Sequence, residues 1–408
     1  MARNRIIYQS EALYAGPSPA TGFHFTYSTG QATSQTLPAG FSNGAGLPTS
    51  NYNILTGFAG FNGWSGVPAA TFNSGVVNSI NQLQRIQSAN YSFNIARQDV
   101  NQFGELGAID RVILDSPTVS LDFSYLLNSF GNEEILGFGP LDSTNVTCVS
   151  GIINKTADER NYFIRTVAEG SDANLIGTDT ANQNVIAIGN GFITSYSTEA
   201  SVGNFPTASV SVEGLNMQFD NGVTGNYIPA VLPSNGSKIT DKKYALSAAT
   251  SSIAQGSISA LRPGDINLTI DQPSGGATIS DAKIQSYTLS FDLARTPLQK
   301  LGSKFAFARE INFPVTVNMQ VQAEVGDLTT GTLADIISAD RTYDLQVTLK
   351  HPTSGTDHMI YRLEGAKLDS QEFSSSIGAN KAVTLSFSTQ INGPSVTDRG
   401  LFMSGAKD

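Results

Sequence analysis

Two eleven-residue segments of this chain are identical at six positions, and this similarity limits how the chain can fold. Residues 87–97 read Gln-Ser-Ala-Asn-Tyr-Ser-Phe-Asn-Ile-Ala-Arg, and residues 285–295 read Gln-Ser-Tyr-Thr-Leu-Ser-Phe-Asp-Leu-Ala-Arg. In each copy thirteen residues separate the closing arginine from a second arginine, Arg111 or Arg309. The sequence therefore predicts two copies of one folding unit.

Both copies continue with residues that alternate between apolar and polar. Tyr91, Phe93 and Ile95 alternate with small polar residues, and residues 118–125 and 315–321 repeat the period of two. This period places one set of side chains against a core and the other against solvent, as in β-strands. We therefore expect a mainly β protein.

Further elements follow in the same order in each copy. A short helix is predicted at 132–136, where Asn132 would be the N-cap and Glu133 and Glu134 would be first-turn acids favoured by the helix dipole. The other segments are interpreted as follows: a helix at 332–337, closing strands at 208–219 and 382–391, an added strand at 265–270, and a hairpin turn at 189–191.

We expect five regions along the chain. Residues 1–86 are rich in glycine and aromatic residues and are interpreted as an extended arm packed on the first copy or on another subunit. The remaining regions are a first domain at 87–219, a linker at 220–283, a second domain at 284–392 and a C-terminal tail at 393–408.

Charge and composition narrow the function classes. The net charge is −10, and charged residues make up 14% of the chain, below the ~25% typical of globular proteins. Gripping nucleic acid requires clustered Lys and Arg, so this chain is a poor candidate for that role. Cys148 is the sole cysteine, and the sequence shows neither an apolar run of ~20 residues nor a signal-peptide pattern. We expect a soluble protein made in a cytoplasm and no contact with a membrane.

No pattern in the sequence indicates catalysis or metal binding. His351 and His358 are separated by six residues, which is not a usual ligand spacing, and are interpreted as solvated loop residues. Nucleophile-elbow, Walker A and dinucleotide motifs do not occur. We therefore expect a protein that is not an enzyme and has no cofactor or metal.

The two arginine-bracketed loops are long for β-hairpins, whose loops usually have two to five residues. One interpretation is a loop without a specific role; the other is a projecting arm that contacts another subunit, with acids of the first loop facing lysines of the second. The candidate assembly residues are Arg97, Asp99, Phe103, Gly104, Glu105, Asp110 and Arg111 in the first loop, and Arg295, Lys300, Gly302, Lys304 and Arg309 in the second.

The polar positions of the predicted strands form a second candidate surface. They are small or faintly acidic and include no Lys or Arg, which suits a channel through which a polyanion slides without sticking. An ordinary solvated sheet face is the alternative. The candidates are Ser92, Asn94, Ser120, Asp122, Ser124, Ser290, Asp292, Asn318, Gln320 and Ser386.

Residues 85–140 resemble the tail tube domain of tailed bacteriophages. The resemblance lies in Tyr-x-Phe-x-Ile-x-Arg at 91–97, the thirteen-residue loop, Pro-Thr-Val-Ser-Leu-Asp-Phe-Ser at 117–124, and the short helix that follows. It implies two tandem β-sandwich domains, each with a short flanking α-helix. In that family, long loops commonly make assembly contacts, and inner sheets join into rings that stack around a lumen.

The resemblance also implies a function. Two domains per chain imply trimeric rings with pseudo-sixfold symmetry, as in some siphophage tubes, forming a tail tube that conducts genome DNA during ejection. Terminator, baseplate or tape measure proteins would be partners in the virion. The alternatives are another virion component, such as a tail terminator, baseplate hub or capsid decoration protein, and a carbohydrate-binding adhesin whose aromatic residues, including Trp64, line a sugar site.

Overall fold

The structure is a computed structural model, and its described part is mainly β, as the alternation predicts. It describes residues 11–17, 52–53, 80–113, 117–140, 146–154, 158–167, 173, 183–221, 229–231, 246, 260–271, 283–302, 305–306, 308–324, 341–374 and 382–406. The predicted helix at 332–337, most of the N-terminal arm, and Trp64 lie outside these residues.

Twenty strands and two short helices are described, together with a 3-10 turn at Pro263–Asp265. In the first half of the chain the strands are β1 Glu11–Pro17, β2 Tyr52–Asn53, β3 Asn81–Gln82, β4 Ile86–Asn94, β5 Arg97–Val100, β6 Asp110–Ile113, β7 Thr118–Leu126, β8 Glu159–Val167, β9 Gln183–Ser201, β10 Thr207–Gly214 and β11 Asn216–Asn221. In the second half they are β12 Ile266–Asp271, β13 Lys283–Asp292, β14 Arg295–Leu298, β15 Ala308–Ile311, β16 Val315–Glu324, β17 Tyr343–Lys350, β18 Asp357–Ser374, β19 Ala382–Ile391 and β20 Gly400–Ala406. The helices are α1 Gly131–Leu136 and α2 Ser150–Ile153.

Eight strands lie side by side in the order β18, β19, β16, β13, β9, β10, β7 and β4. All neighbouring pairs in this series are antiparallel. One face carries alternating buried apolar residues, such as Val119, Leu121 and Phe123 of β7. The buried core is continuous through both copies of the repeat, because its residues come from the strands of each.

The strand pairings repeat in the two halves of the chain. Phe93 of β4 lies opposite Val119 of β7, and Phe291 of β13 lies opposite Val317 of β16 in the same way. Across the sheet, β10 and β9 follow β4 and β7, just as β19 and β18 follow β13 and β16. The predicted added strand is present as β12, which pairs with β17 as β1 pairs with β8.

Two long strands, β9 and β18, each belong to two groups of paired strands. Residues 183–192 of β9 pair with β8 or β11, whereas residues 192–201 pair with β10 and β13. Residues 357–366 of β18 pair with β17 and β20, and residues 367–374 pair with β19. Each of these strands therefore connects two groups of paired strands.

The predicted hairpin turn at 189–191 is wrong, because these residues lie inside β9. Asn190 has a φ of +53°, and its counterpart in β18, Gly365, has a φ of +62°. Both conformations are left-handed, which Asn and Gly tolerate best. Buried Asn190 donates to the Val231 carbonyl oxygen at 3.0 Å and accepts from the Val231 amide at 2.7 Å. The segment is an irregularity within β9 rather than a turn.

The single closing strand predicted at 208–219 is also wrong, since the chain forms β10 and β11 there. β10 pairs with the second half of β9, and β11 pairs with the first half. The interruption at Leu215 lets the chain follow β9 across its bend.

Candidate assembly surfaces

The outward face of the eight strands is polar along its whole width. Hydrogen-bonded neighbours form one row of side chains across the sheet, with one residue from each strand. The row consists of Ser88, Ser124, Ser209, Ser197, Ser290, Asn318, Ser388 and Lys367. We call this outward side, opposite the core, the polar face.

The strand registers place all ten candidate channel residues on the polar face. Ser92 lies opposite Ser120, and the two hydroxyl oxygens are 2.7 Å apart. Ser124 makes the same contact with Ser88, also at 2.7 Å. These short side chains therefore bond to the neighbouring strand along the sheet.

Exposed charges on the polar face are mostly negative. Asp122, Glu199, Asp292 and Glu372 are exposed carboxylates, one on each of four strands. Lys367 is an exposed base at one end of the row. A surface of this charge repels a polyanion more than it attracts one.

The two long loops form β-hairpins with the same register. In the first hairpin β5 pairs with β6, so that Arg97 lies opposite Ile113; in the second, β14 pairs with β15, and Arg295 lies opposite Ile311. Gly104 and Gly302 have φ values of +95° and +84° near the tips. Their left-handed backbone explains why glycine occurs at the same place in both loops.

The tip of each hairpin exposes apolar side chains. Phe103 and Leu106 of the first hairpin and Leu301 of the second are fully exposed. Glu105 and Lys300 are exposed beside them, whereas Lys304 lies outside the described residues. Fully exposed apolar side chains at the tip of a hairpin are a candidate contact surface for another protein.

The arginines of the second hairpin bind within the chain, which differs from the expected contact with another subunit. Arg295 Nη2 lies 2.5 Å from Asp158 Oδ1, and Arg309 Nη1 lies 2.9 Å from Glu213 Oε1. Their guanidinium carbons lie 4.8 and 5.7 Å from the centre of the Phe192 ring. Burial lowers the pKa of Arg309, and the Glu213 carboxylate opposes that change. These contacts attach the second hairpin to the first half of the chain.

The arginines of the first hairpin are exposed. Arg111 Nε lies 2.6 Å from Asp99 Oδ1, so Asp99 pairs within its own hairpin. Asp110 is exposed on the other side of this hairpin. Sequence reasoning treated the two arginine pairs as equivalent, and only the strand packing separates them.

Helix α1 buries both of its glutamates, which the dipole interpretation did not predict. Glu133 Oε1 accepts hydrogen bonds from Tyr125 Oη at 2.8 Å and Tyr196 Oη at 3.1 Å. Desolvation raises the pKa of Glu133 to about 7. Asn132 is not the N-cap; its side-chain amide bonds to the backbone of Gln84. The helix is thereby tied to the sheet.

The histidine pair also differs from expectation. The rings of His351 and His358 are 5.5 Å apart and nearly perpendicular, and His358 is buried. His351 Nδ1 accepts hydrogen bonds from the amides of Thr353 and Ser354 at 3.1 and 3.2 Å. His351 therefore stabilises the turn between β17 and β18. Within the described ranges, no three His, Cys, Asp or Glu residues are grouped to hold a metal ion.

Comparison with known proteins gives limited similarity. The sequence matches no family model and no curated protein. A chain from the tail of an empty gene transfer agent particle, refined with C6 symmetry, is 16% identical, with 33% of this chain and 96% of that chain covered and a TM-score of 0.26. For a chain of the anti-feeding prophage baseplate the values are 13%, 35%, 94% and 0.28, and for the SPP1 tail tube they are 14%, 36%, 81% and 0.26. TM-scores this low do not assign a fold or a function to this chain.

No helix in the described part of the chain is long and apolar enough to cross a membrane.

Proposed function

We propose that this protein is a structural subunit of a bacteriophage tail, namely a major tail tube protein. It polymerises as stacked trimeric rings around a lumen that conducts genome DNA during ejection, and it has no catalytic role. The observation that supports this most is the polar face, which continues across eight strands from both halves of the chain.

The chemistry of the polar face suits the passage of DNA. Its serines and asparagines are short, and several hydroxyls already bond to a neighbouring strand. Its exposed carboxylates, such as Asp122 and Asp292, disfavour phosphate binding. A duplex can therefore slide past without being held.

Closing a ring would pair the two outer edges of the sheet. Within the described part of the chain, β4 pairs on one side only, with β7, and residues 367–374 of β18 pair on one side only, with β19. Exposed sheet edges promote aggregation, and a closed ring removes them. Since each chain supplies two copies of the repeat, three chains give six pseudo-equivalent units.

The hairpin tips are proposed to join successive rings. Phe103 and Leu106 project fully exposed apolar side chains, which a neighbouring ring would cover. In the virion the tube would meet tail terminator, baseplate or tape measure proteins after synthesis in the host cytoplasm.

Electron microscopy of the purified protein at high concentration tests the proposal. We expect hollow rings or tubes with a threefold subunit count. Persistent monomers would contradict it, and a low copy number in virions would favour a terminator, hub or decoration protein. Glycan binding by the monomer would instead favour an adhesin.

Two variants separate stacking from DNA passage. Deleting residues 99–109 is expected to leave a folded subunit that forms rings but not tubes, whereas Phe219→Ser, which alters an exposed aromatic on β11, should leave both intact. Ser124→Arg with Ser290→Arg on the polar face should make assembled tubes retain short duplex DNA. Phe219→Arg, on β11 and outside the eight strands of the polar face, should not. Equal DNA retention by both would contradict the lumen assignment.

A further inference from the structure

The contact between the two halves of the sheet provides a template for contact between chains. β9 pairs antiparallel with β13, so that Leu289 lies opposite Thr198 and Phe291 opposite Tyr196. Leu289 and Phe291 are 0% and 1% exposed. We call this pairing the inner junction.

The two outer edges of the sheet are formed by the counterparts of the same two strands. β4 corresponds to β13, since Phe93 pairs with Val119 as Phe291 pairs with Val317. Residues 367–374 of β18 correspond to residues 192–199 of β9. A register shift occurs at the same place in both strands, between Ser211 and Val212 on β10 for β9, and between Leu368 and Ser370 for β18.

Aromatic side chains are exposed on both outer edges. Tyr91 and Phe93 of β4 are 37% and 43% exposed, although their counterparts Leu289 and Phe291 are buried by β9. Phe373 of β18 is 48% exposed, whereas its counterpart Thr198 is 1% exposed. Each outer edge thus has an apolar surface of the kind that the inner junction covers.

We propose that β4 of one copy of this chain pairs antiparallel with residues 370–374 of β18 of a second copy, in the register of the inner junction. Tyr91 then lies opposite Phe373, Phe93 opposite Gln371, and Ser92 opposite Glu372. This proposal deepens the proposed function by naming the contact that closes the ring, and it rests on that function.

The proposed register brings together similar side chains on both faces of the sheet. Tyr91 meets Phe373 on the core side, where an aromatic cross-strand pair is stabilising. Ser92 meets Glu372 on the opposite side, so the polar face continues from one chain into the next. Because the two edges are different strands, the contact is heterologous; it gives a ring where the rotation between successive chains closes, and it cannot give a twofold dimer.

The inner junction also shows which cross-strand positions are closest. Leu293 donates its amide to the Thr194 carbonyl at 2.7 Å, and Val202 donates to Gln285 at 3.0 Å. These are hydrogen-bonded pairs, so the intervening pairs on the polar face, such as Ser290 with Ser197, are non-hydrogen-bonded pairs. Cα atoms are about 4.5 Å apart in such pairs, which brings the side chains close enough for an engineered disulfide.

Disulfide trapping tests the register. Ser92→Cys with Glu372→Cys should give a ladder of covalent oligomers on non-reducing gels after mild oxidation. The matched control, Ser88→Cys with Glu372→Cys, is four residues out of register and should give no ladder beyond that of the single variants. Cys148 is buried and does not compete.

The outcomes separate this proposal from the proposed function. If rings form but the in-register pair does not crosslink, or only the control does, the proposed register is wrong, whereas the proposed ring assembly is not contradicted. If neither rings nor crosslinks form at high concentration, both proposals are overturned. An in-register ladder that ends at a defined ring size supports both.

The outer junction differs from the inner junction in its charges, which gives a second test. Phe192, opposite Glu213, corresponds to Lys367, opposite Ser388. Arg160 lies opposite Gly191 as Tyr343 lies opposite Ala366, so Asp158 corresponds to Arg341. Asp158 and Phe192, which contact the arginines of the second hairpin, are therefore replaced at the outer edge by the basic residues Arg341 and Lys367.

Arg341→Asp with Lys367→Phe would make the outer edge resemble the inner one and give the first hairpin's arginines a matching surface. We expect assembly at a concentration about tenfold lower, which corresponds to ~1.4 kcal/mol. Tyr91→Ser should shift assembly in the opposite direction, and Phe219→Ser should leave it unchanged. Unaltered assembly in both the Tyr91 variant and the double variant would overturn the proposed junction.

Discussion

Replacing Asp158 with asparagine tests how the second hairpin is attached to the first half of the chain. The side chains of Arg295 and Asp158 are 3% and 9% exposed, with 2.5 Å between Nη2 and Oδ1. The substitution keeps the shape of residue 158 but removes the charge that compensates the buried guanidinium. Asp99→Asn is the matched control, because Asp99 pairs with Arg111 in the counterpart hairpin at 48% and 68% exposure.

The burial of the two pairs sets the expected magnitudes. Removing one partner of a buried ion pair costs about 3–5 kcal/mol, since the remaining charge stays desolvated. Exposed pairs contribute about 0.2–1 kcal/mol, because water screens them. Asp158→Asn should therefore lower the free energy of unfolding by about 3 kcal/mol more than Asp99→Asn does.

Urea unfolding of the monomer, followed by far-ultraviolet circular dichroism and by the fluorescence of the buried tyrosines, measures this difference. A double variant, Asp158→Leu with Arg295→Met, should recover most of the loss, because it leaves no buried charge. If Asp158→Asn and Asp99→Asn were equally destabilising within about 1 kcal/mol, the buried pair could not be attaching the hairpin.

Two further predictions concern the interior of the fold. Burial raises the pKa of Glu133 from 4.5 to about 7, so the folded state retains a proton that the unfolded state releases in this range. The stabilisation from this retained proton is complete below about pH 4.5 and is lost as the pH rises to about 7. The unfolding free energy of the unmodified protein should therefore fall by about 3 kcal/mol between pH 4.5 and 8. Urea titration should show that Glu133→Gln removes this fall. Gly189→Ala should lower the melting temperature by several degrees, because a Cβ there would lie 2.6 Å from the Ala230 amide nitrogen, whereas Gly107→Ala, with no atom within 4 Å, should leave it unchanged. A Gly189→Ala protein as stable as the Gly107→Ala protein would show that this contact is not tight.

Local pattern was sufficient to predict the strands that form most of the sheet. Alternation in residues 118–125 and 315–321 places β7 and β16, and residues 265–270 correspond closely to β12. A period of two is a property of a single strand, so it needs no knowledge of neighbours. The same locality explains why Gly104 and Gly302, both with left-handed backbone, could be matched before their conformation was known.

Predictions failed where a residue's role depends on what packs against it. Residues 189–191 carry the composition of a turn, yet β8 and Val231 hold them inside a bent strand. Glu133 has the position of an exposed first-turn acid, but it accepts hydrogen bonds from Tyr125 and from Tyr196, which is distant in sequence. His358 was expected in solvent and is buried.

The repeat and the β alternation are encoded in neighbouring residues, so the sequence alone determined that the chain contains two similar strand-rich units. The tertiary structure alone decided that the units are not equivalent in their surroundings. β9 covers β13 and buries Phe291, while no described strand covers the outer side of β4, where Phe93 is exposed. The similar local sequences of the two units do not encode this difference, because it arises from the order in which the strands of the two units pair across the sheet.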